Sequence, residues 1–331
     1  MAKGKTAEAD RLTMADLAAL AGVSTITVSR ALRDSALVRE EVREQIKALA
    51  AEHGYRLNAA ARNLRTRRAH SITAVIEMDP STERPMSEPL VLGVIGGLLQ
   101  TLTMQGYRLV LTTRSEALSS NGVDADGIIL LGQGPNDEAT QQIRRFDLPM
   151  VVWGGNRPAT DRMVFVGSNN RAGGRLVGEH LASLGRRRIL FLGDVAHAEV
   201  ADRLAGLEGA VAGRDVSVTP LPCAFSRTAG HASLADALAR GAKFDAIMAC
   251  SDSMALGAVD GLDEAGLRVP QDVAVTGYDD AAAEGRLTSV RQDLELTGQV
   301  LARKVLDLVA GRPTASEMLP VTLVPRMSTQ G

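Results

Sequence analysis

Apolar residues follow two different patterns along the chain. Up to about residue 53 they recur at helical spacing, and from residue 71 they form short runs typical of buried strands. Thr13 is suited to cap a first helix, Gly22 ends it, and a second helix begins near Ser24. A third helix is expected from Arg39 through Glu52, where Gly54 stops it.

From Ser71 onward, apolar runs alternate with amphipathic helical stretches. The runs are rich in Val and Ile, and Gly, Asp or Pro bounds them. They read ITAVIEM, YRLVLTT, GIILLG, MVVWGG, RILFLGD, AIMACS and VAVTGYD. The alternation predicts parallel sheets covered by helices on both faces, the doubly wound α/β architecture, in a stretch long enough for two sheets.

Length and charge divide the chain in the same place. Its 331 residues exceed one ordinary core, so two or three folded units are expected. Residues 1–70 carry 13 Lys and Arg against 8 Asp and Glu, a net charge of +5. Residues 71–331 carry 24 against 31, a net charge of −7. A basic head on an acidic body indicates a polyanionic partner at one end.

Several classes of protein are excluded by the remaining composition. Cys223 and Cys250 are too few for a disulfide framework, and neither lies in a Cys/His cluster that would bind zinc. The N-terminus lacks an apolar signal segment, and no apolar run reaches the ~18 residues of a membrane helix. A soluble, cytoplasmic protein without a membrane partner is therefore expected.

The first two helices and the turn between them form a helix-turn-helix candidate. The second helix would present hydroxyl and guanidinium groups that suit phosphates and base edges in a major groove. These residues are Ser24, Thr25, Thr27, Ser29, Arg30 and Arg33. Any amphipathic helical hairpin with surface arginines shares this pattern, so the pattern alone leaves the DNA interpretation open.

Two strings carry a more specific signal. AGVSTITVSRAL and HGYRLNAAARNL resemble the DNA-binding head of the LacI/GalR family of bacterial repressors. The resemblance implies that Thr25 and Ile26 read bases and that Ser29 and Arg30 contact phosphate and bases. It also places Thr13, Ser24 and Thr27 at phosphate contacts. Arg33 is a further candidate for DNA binding. Arg39 departs from the family, which usually has a Ser cap there, and so does Leu57, where Pro is common.

Residues 58–70, NAAARNLRTRRAH, form a basic linker. In the family this segment becomes a hinge helix on operator DNA, and a Leu wedges into the minor groove. The equivalent here is Leu64, with Asn58 and Ala61 also expected at the DNA. An apolar wedge bends the duplex by unstacking a base step. The alternative is a solvated linker with one exposed leucine.

The body carries no constellation typical of an enzyme. LLGQGP has two glycines but lacks the third of a dinucleotide loop, and no P-loop, GxSxG or HExxH motif is present. Asp279 and Asp280 are adjacent, so their side chains diverge, and no third acid lies at metal-ligand spacing. Neither catalysis nor a cofactor is expected.

The body instead resembles the periplasmic-binding-protein-like core of the same family. SNNRAGGRLVGEHLASLGRRRILFLGD and CSDSMALGAVDGLDEAGLRVPQDVAVTGYDD carry the likeness, with LTSVRQDLELTGQVLARKVLDLV. It implies a DNA-binding domain over 11–57, a hinge over 58–70 and an effector-binding and dimerisation core over 71–331. Lobe 1 would span about 71–166 and 291–320, and lobe 2 about 167–290 and 321–331.

The resemblance also implies where an effector binds, because such cores close over a ligand at the carboxyl ends of their strands. Arg203 and Asp279 match the family's effector-binding Arg and Asp, and Trp153 and Phe225 are aromatic candidates whose alternative role is ordinary packing. The remaining candidates are Glu77, Ser168, Asn169, Ser251 and Asp252.

Two departures concern acidic residues at the expected site. Gly154 replaces an acid that often orients sugar hydroxyls in relatives, and Glu77 stands where many relatives have Pro or Ser. One acid thus leaves the cleft while another enters it. The ligand of a relative therefore cannot be copied to this chain.

These features together predict a homodimeric repressor on a pseudo-palindromic operator, with a sugar inducer as the small-molecule effector. A tetramer stays open. Two alternatives are a regulator of the same family with a purine-type corepressor and a carbohydrate-binding receptor without DNA function.

Overall fold

The computed structural model of the chain describes residues 12–55, 68–77, 88–119, 122–281 and 285–330. Contacts divide the chain into two compact units, the head, Met1–Ala69, and the core, His70–Gly331. The predicted hinge contacts Asn58, Ala61 and Leu64 lie outside the described residues.

Within residues 12–55 the head forms three helices, as its sequence predicts. Thr13 accepts a hydrogen bond from the backbone N–H of Asp16, whose carboxylate accepts one from the N–H of Thr13, which completes a capping box. Ser24 caps the second helix, and Gly22 adopts a φ of 63° in the turn between them. The helices are α1 (Met14–Leu20), α2 (Thr25–Ala31) and α3 (Glu40–Glu52).

A small apolar core holds the three helices of the head together. Leu17 of α1, Val28 of α2 and Ile46 of α3 are fully buried against one another. Arg39 stands at the N-cap of α3 without a side-chain hydrogen bond to the helix, so the replacement of the usual Ser removes a cap. The first two helices therefore keep capped starts, and α3 depends on packing.

The core contains two six-stranded sheets. The first has the order β11-β5-β4-β3-β1-β2 and is parallel throughout. The second has the order β12-β10-β9-β8-β6-β7, and only β12 is antiparallel to its neighbour. The first sheet comprises β1 (Ser71–Ile76), β2 (Arg108–Thr113), β3 (Gly127–Leu131), β4 (Met150–Trp153), β5 (Met163–Ser168) and β11 (Glu317–Leu319). The second comprises β6 (Arg188–Leu192), β7 (Ser217–Leu221), β8 (Ala246–Ala249), β9 (Ala274–Asp279), β10 (Thr288–Arg291) and β12 (Thr322–Val324).

Helices cover both faces of the first sheet, and four more pack against the second. The helices are α4 (Pro89–Met104), α5 (Arg114–Ser119), α6 (Glu138–Ile143), α7 (Asn170–Ser183), α8 (Ala198–Val211), α9 (Arg227–Ala239), α10 (Asp252–Glu264) and α11 (Leu294–Val309). One face of the first sheet packs against α4 and α11, the other against α5 and α6. The predicted doubly wound architecture is confirmed. Within the described ranges, no helix is long and apolar enough to span a bilayer.

The chain passes between the two sheets three times, at residues 168–170, 291–294 and 319–322. We call the part built on the first sheet lobe 1 and the part built on the second sheet lobe 2. The hydroxyl of Ser168 in the first crossing donates to the side-chain oxygen of Gln292 in the second. The backbone N–H of Asn169 donates to the carbonyl of Leu319 at 2.8 Å, which ties the first crossing to the third. The three crossings are therefore joined by hydrogen bonds, and together we call them the interlobe hinge, to separate them from the predicted hinge over 58–70.

Two helices of lobe 2 approach each other backbone to backbone. A Cβ atom at Gly174 of α7 would overlap the carbonyl oxygen of Arg203 in α8, and one at Gly206 would overlap the carbonyl oxygen of Arg171 in α7. Only glycine fits at these positions without moving a helix. The close contact fixes α8, which carries Arg203, against α7.

Replacing one of these glycines should therefore destabilise lobe 2. We expect Gly206→Ala to lower the free energy of unfolding by about 1–3 kcal/mol, because the added methyl group forces α7 and α8 apart. Gly209→Ala is the matched control in the same helix: no atom lies within 4 Å of its Cβ position, and alanine favours helix by up to ~1 kcal/mol. Urea denaturation measures both variants, and equal stabilities would contradict the proposed close packing.

Candidate functional site

A cavity lies between the two lobes at the carboxyl ends of their strands. The space between its walls is about 890 Å³, a figure that includes the open mouth. The residues that follow β1, β3, β4 and β5 line its lobe 1 side, and those that follow strands β6 to β10 line the rest. This is the location expected for ligands in open α/β sheets.

A buried guanidinium stands on the lobe 2 side of the cavity. Arg203 is 5% exposed, and its Nε donates to Oδ1 of Asn170 at 2.9 Å. Its Nη1 donates to the carbonyl oxygen of Cys250 at 2.5 Å, and its Cζ lies 3.5 Å from the ring centroid of Tyr278. These contacts fix the guanidinium plane and leave further N–H donors for a ligand.

A chain of polar groups joins this side of the cavity to the interlobe hinge. The Nε2 of Gln292 donates to Oδ1 of Asp279 at 2.6 Å, while its oxygen accepts from the hydroxyl of Ser168. All three side chains are buried and line the cavity. A ligand that contacts Asp279 would therefore lie one side chain away from the crossing between the lobes.

Asp279 and Asp280 hold an unusual backbone conformation at the end of β9. Their φ angles are 106° and 53°, which side chains other than glycine rarely adopt and which are common at ligand sites. The carboxylate of Asp280 pairs with Arg291 and Arg326 at 2.6 Å each, and its N–H donates to Ser289. Burial acts to raise the pKa of Asp280, but the hydrogen bonds from both arginines outweigh it and leave that pKa below its usual value. The ion pairs therefore hold the turn that presents Asp279.

Two aromatic side chains line the cavity from opposite lobes. Trp153 ends β4, and Phe225 follows β7. The rings of His197 and Phe225 meet edge-on, with 5.3 Å between their centroids. The Nδ1 of His197 lies 3.9 Å from the carboxylate of Glu199. Aromatic faces beside carboxylates suit a ligand with both apolar and hydroxyl-bearing surfaces.

A carboxylate lies at the lobe 1 end of the cavity. Glu77 follows β1, and its carboxylate pairs with Nε of Arg114 at 2.8 Å. Burial raises the pKa of Glu77, with Arg114 opposing this effect and Glu138 adding to it. The acid that the sequence places at position 77 is therefore part of the cavity wall.

Gly154, where relatives often have an acid, is explained by its neighbour Gln133. A Cβ atom at Gly154 would overlap the side-chain amide of Gln133, which is 2% exposed. That amide accepts from the N–H of Gly155 at 2.5 Å and donates to Asp137 at 3.0 Å. Gln133 thus occupies the space that a side chain at position 154 would need.

Most of the effector residues proposed from the sequence line this cavity. Those that do are Glu77, Trp153, Ser168, Arg203, Phe225 and Asp279. Asn169, Ser251 and Asp252 are not among the residues that line it. Asn169 and Ser251 cap α7 and α10, and Asp252 accepts hydrogen bonds from the hydroxyl of Ser289 and the N–H of Ala281. Their polar atoms are used inside lobe 2.

Six further lining residues escaped the sequence analysis: Gln133, Asn170, His197, Glu199, Cys250 and Gln292. Each of them lies within eight residues after the end of a strand. The position of a polar residue shortly after an apolar run was a usable signal for Gln133, which lies two residues after β3. Gln292 follows β10, which is too short to stand out as an apolar run.

The head presents a polar face on and around α2. Thr25, Ile26, Arg30 and Arg33 are exposed, Ile26 to 61%. Thr27 and Ser29 are half-buried, and Nε of Arg33 donates to the carbonyl of Ser29 at 2.8 Å. The hydroxyls of the predicted contacts Thr13 and Ser24 are exposed although each caps a helix. The candidates that fall on described residues of the head are thus at its surface.

A helix-turn-helix head joined to a two-lobed core with a polar cavity defines the class of ligand-responsive DNA-binding regulators. The family "Bacterial regulatory proteins, lacI family" matches residues 13–58, and the "Periplasmic binding protein-like domain" matches residues 179–329. The transcriptional regulator CelR of Thermobifida fusca is 34% identical over 95% of both chains. The chain therefore belongs to the lacI family of bacterial regulatory proteins.

Solved structures agree with this assignment. A "transcriptional regulator CelR-cellobiose complex" is 30% identical, with a TM-score of 0.69, and the match covers 96% of this chain and all of that one. The lac repressor dimer bound to operator and the anti-inducer ONPF is 24% identical, with a TM-score of 0.80 over 97% of this chain and all of that one. The second likeness concerns the fold alone.

The ion pairs of Asp280 with Arg291 and Arg326 predict that the stability of the protein depends on pH. The pKa of Asp280 is lower in the folded state than in the unfolded state. Its contribution to the free energy of unfolding is therefore fully present above the unfolded pKa of about 3.9, and it is lost as the pH falls through the pKa of the folded state. We expect Asp280→Asn to lower the free energy of unfolding by about 1–3 kcal/mol at pH 7. The difference from the wild type should shrink below about pH 4. Urea denaturation at several pH values measures it, and a difference that grows on acidification would contradict the stabilising role of these ion pairs.

Proposed function

We propose that the protein is a homodimeric repressor that binds a pseudo-palindromic operator and releases it when a sugar inducer binds between the lobes. The observation that carries the proposal is the cavity itself. It is lined by the buried side chains of Arg203 and Asp279 and by the aromatic side chains of Trp153 and Phe225, and Asp279 is hydrogen-bonded through Gln292 to Ser168 in the first crossing between the lobes. On this account it acts on DNA in the cytoplasm, associated with the nucleoid.

The charge distribution supports operator binding by the head. The head segment, residues 1–70, has a net charge of +5, and the remainder has −7, so the acidic core disfavours phosphate. Thr25, Ile26 and Arg30 are exposed where a recognition helix would meet base edges. Ser29, Arg33, Thr13, Ser24 and Thr27 would add phosphate contacts, and Leu64 with Asn58 and Ala61 would enter the minor groove at the operator centre. Operator affinity should fall steeply with salt, because several counterions are released.

The composition of the cavity supports a sugar as effector. The remaining N–H donors of Arg203 and the carboxylate of Asp279 can bind neighbouring hydroxyls, and Trp153 and Phe225 can cover the apolar faces of sugar rings. Since the CelR structure contains cellobiose, cellobiose is the first compound to test. A purine-type corepressor remains the alternative ligand.

An exposed apolar patch on lobe 1 supports dimerisation. It consists of Leu92, Leu99 and Met104 of α4 with Val110 and Leu111 of β2, each between 44% and 79% exposed. β2 is the edge strand of its sheet, so it is not covered by a further strand. A second copy of the chain that covered this patch would bury it and bring two heads to one operator.

Operator binding with and without a sugar tests the proposal directly. A labelled operator obtained by in vitro selection with the full chain is titrated by fluorescence anisotropy. We expect cellobiose or another sugar of a mono- and disaccharide panel to raise the dissociation constant. Tighter binding would instead identify a corepressor, and the absence of any sequence-specific DNA binding would contradict the repressor.

The role of Asp279 can be separated from DNA binding. We expect Asp279→Asn to bind the operator like the wild type but to respond to the inducer at least tenfold more weakly, because it loses a charged acceptor for sugar hydroxyls. Asp263→Asn, at an exposed position of α10, is the control and should respond normally. An unchanged inducer response of Asp279→Asn would exclude this carboxylate from the effector site.

A charge in the patch should disrupt the dimer. Leu111 is 48% exposed on the edge strand, so Leu111→Glu should leave the fold intact while raising the dimer dissociation constant at least tenfold. Leu184→Glu, at a 41% exposed position of lobe 2, is the matched control. Sedimentation equilibrium distinguishes the two. Equal association of both variants would place the interface elsewhere.

A further inference from the structure

Glu77 is held at the cavity wall by a loop built around it. The loop is Gly132–Gln133–Gly134, directly after β3. A Cβ atom at Gly132 would lie 2.9 Å from Cβ of Glu77, and one at Gly134 would lie 3.1 Å from its Oε1. Both glycines also have positive φ angles, of 103° and 71°. These φ angles favour glycine at both positions, and the absence of a Cβ atom there also leaves room for the side chain of Glu77.

Directly after β4, Gly154 carries no side chain that could share this role with Glu77. A Cβ atom at position 154 would overlap the side chain of Gln133, which is hydrogen-bonded to Gly155 and Asp137. Among the described residues of lobe 1 that line the cavity, Glu77 is the single charged one. A charged contact to a ligand from lobe 1 therefore falls to Glu77.

The charges around the cavity are unfavourable for an anionic ligand. Its described lining contains three carboxylates, those of Glu77, Glu199 and Asp279, against the one guanidinium of Arg203. Arg203 already donates to Asn170 and to the carbonyl of Cys250, so it is only partly available. A phosphate or carboxylate in the cavity would meet like charges at both ends.

We propose that Glu77 is a specificity-determining residue that accepts a hydrogen bond from a ligand hydroxyl on the lobe 1 side, and that it makes the effector an uncharged polyhydroxy compound. Phosphorylated sugars and sugar acids are rejected because their charge would lie against Glu77 or Asp279. This inference rests on the proposed effector site.

The test compares Glu77→Gln with a matched carboxylate variant. Glu138 also pairs with Arg114, at 3.3 Å, but its side chain is 51% exposed and lies outside the cavity lining, so Glu138→Gln is the control. Isothermal titration of the full chain uses cellobiose and glucose together with glucose 6-phosphate and glucuronate. Operator binding of each variant confirms that it folds.

We expect only uncharged sugars to bind the wild type. Glu77→Gln should lower the affinity for the uncharged sugar about tenfold, because an amide accepts a weaker hydrogen bond than a carboxylate. It should also reduce the difference in affinity between that sugar and its anionic counterpart. Glu138→Gln should behave as the wild type does. Equal affinities of the wild type for a sugar and its phosphate, or unchanged binding by Glu77→Gln, would overturn the role of Glu77. Binding of no sugar from the wider mono- and disaccharide panel would instead contradict the effector site as a whole.

Discussion

The buried guanidinium of Arg203 is the interaction on which the ligand-binding part of lobe 2 depends. A charge taken out of water costs several kcal/mol unless it is fully compensated, and Arg203 is compensated by Asn170, the carbonyl of Cys250 and the ring of Tyr278. These partners come from three different elements, so α7, β8 and β9 must all approach α8. The approach is close enough to require glycine: a Cβ atom at Gly173 would overlap the ring of Tyr278. Gly173 therefore lets α7 approach the ring that stacks on the buried charge.

The same arrangement connects ligand contact with lobe movement. Tyr278, which stacks on Arg203, precedes Asp279 in β9, and Asp279 is hydrogen-bonded through Gln292 to Ser168 in the first crossing. On the proposed function, a ligand bound to Arg203 and Asp279 would compete with or strengthen these bonds, and its affinity would then differ between arrangements of the lobes. Such a difference is what a ligand needs in order to shift a conformational equilibrium. The interlobe hinge lies within the site, and no long pathway through the core is required.

Much of this fold could be predicted because buried parallel strands are continuous apolar runs. The seven runs recognised in the sequence are β1 to β4, β6, β8 and β9. The strand β5 was not recognised although all six of its residues are buried. The strand β7 contains Pro220 and lies at a sheet edge, β10 has one apolar residue, and β11 and β12 have only three residues each, so tertiary pairing decides these four and local pattern does not. At the site, Arg203 and Asp279 were accessible through the family resemblance. Asn170 and Gln292 were not, because the spatial partners that turn an ordinary amide into a cavity residue are distant in sequence.

The distance between the lobes with and without ligand tests the central claim most directly. Spin labels at Glu116→Cys in lobe 1 and Arg240→Cys in lobe 2 occupy exposed sites, whereas the native Cys223 and Cys250 are buried, and burial raises the pKa of Cys250 to about 12. With labelled protein diluted in unlabelled protein, double electron–electron resonance reports the distance within one chain. A sugar that changes operator affinity should shift this distance distribution, and the shift should be lost in Gln292→Leu. An identical distribution with and without that sugar would contradict the account.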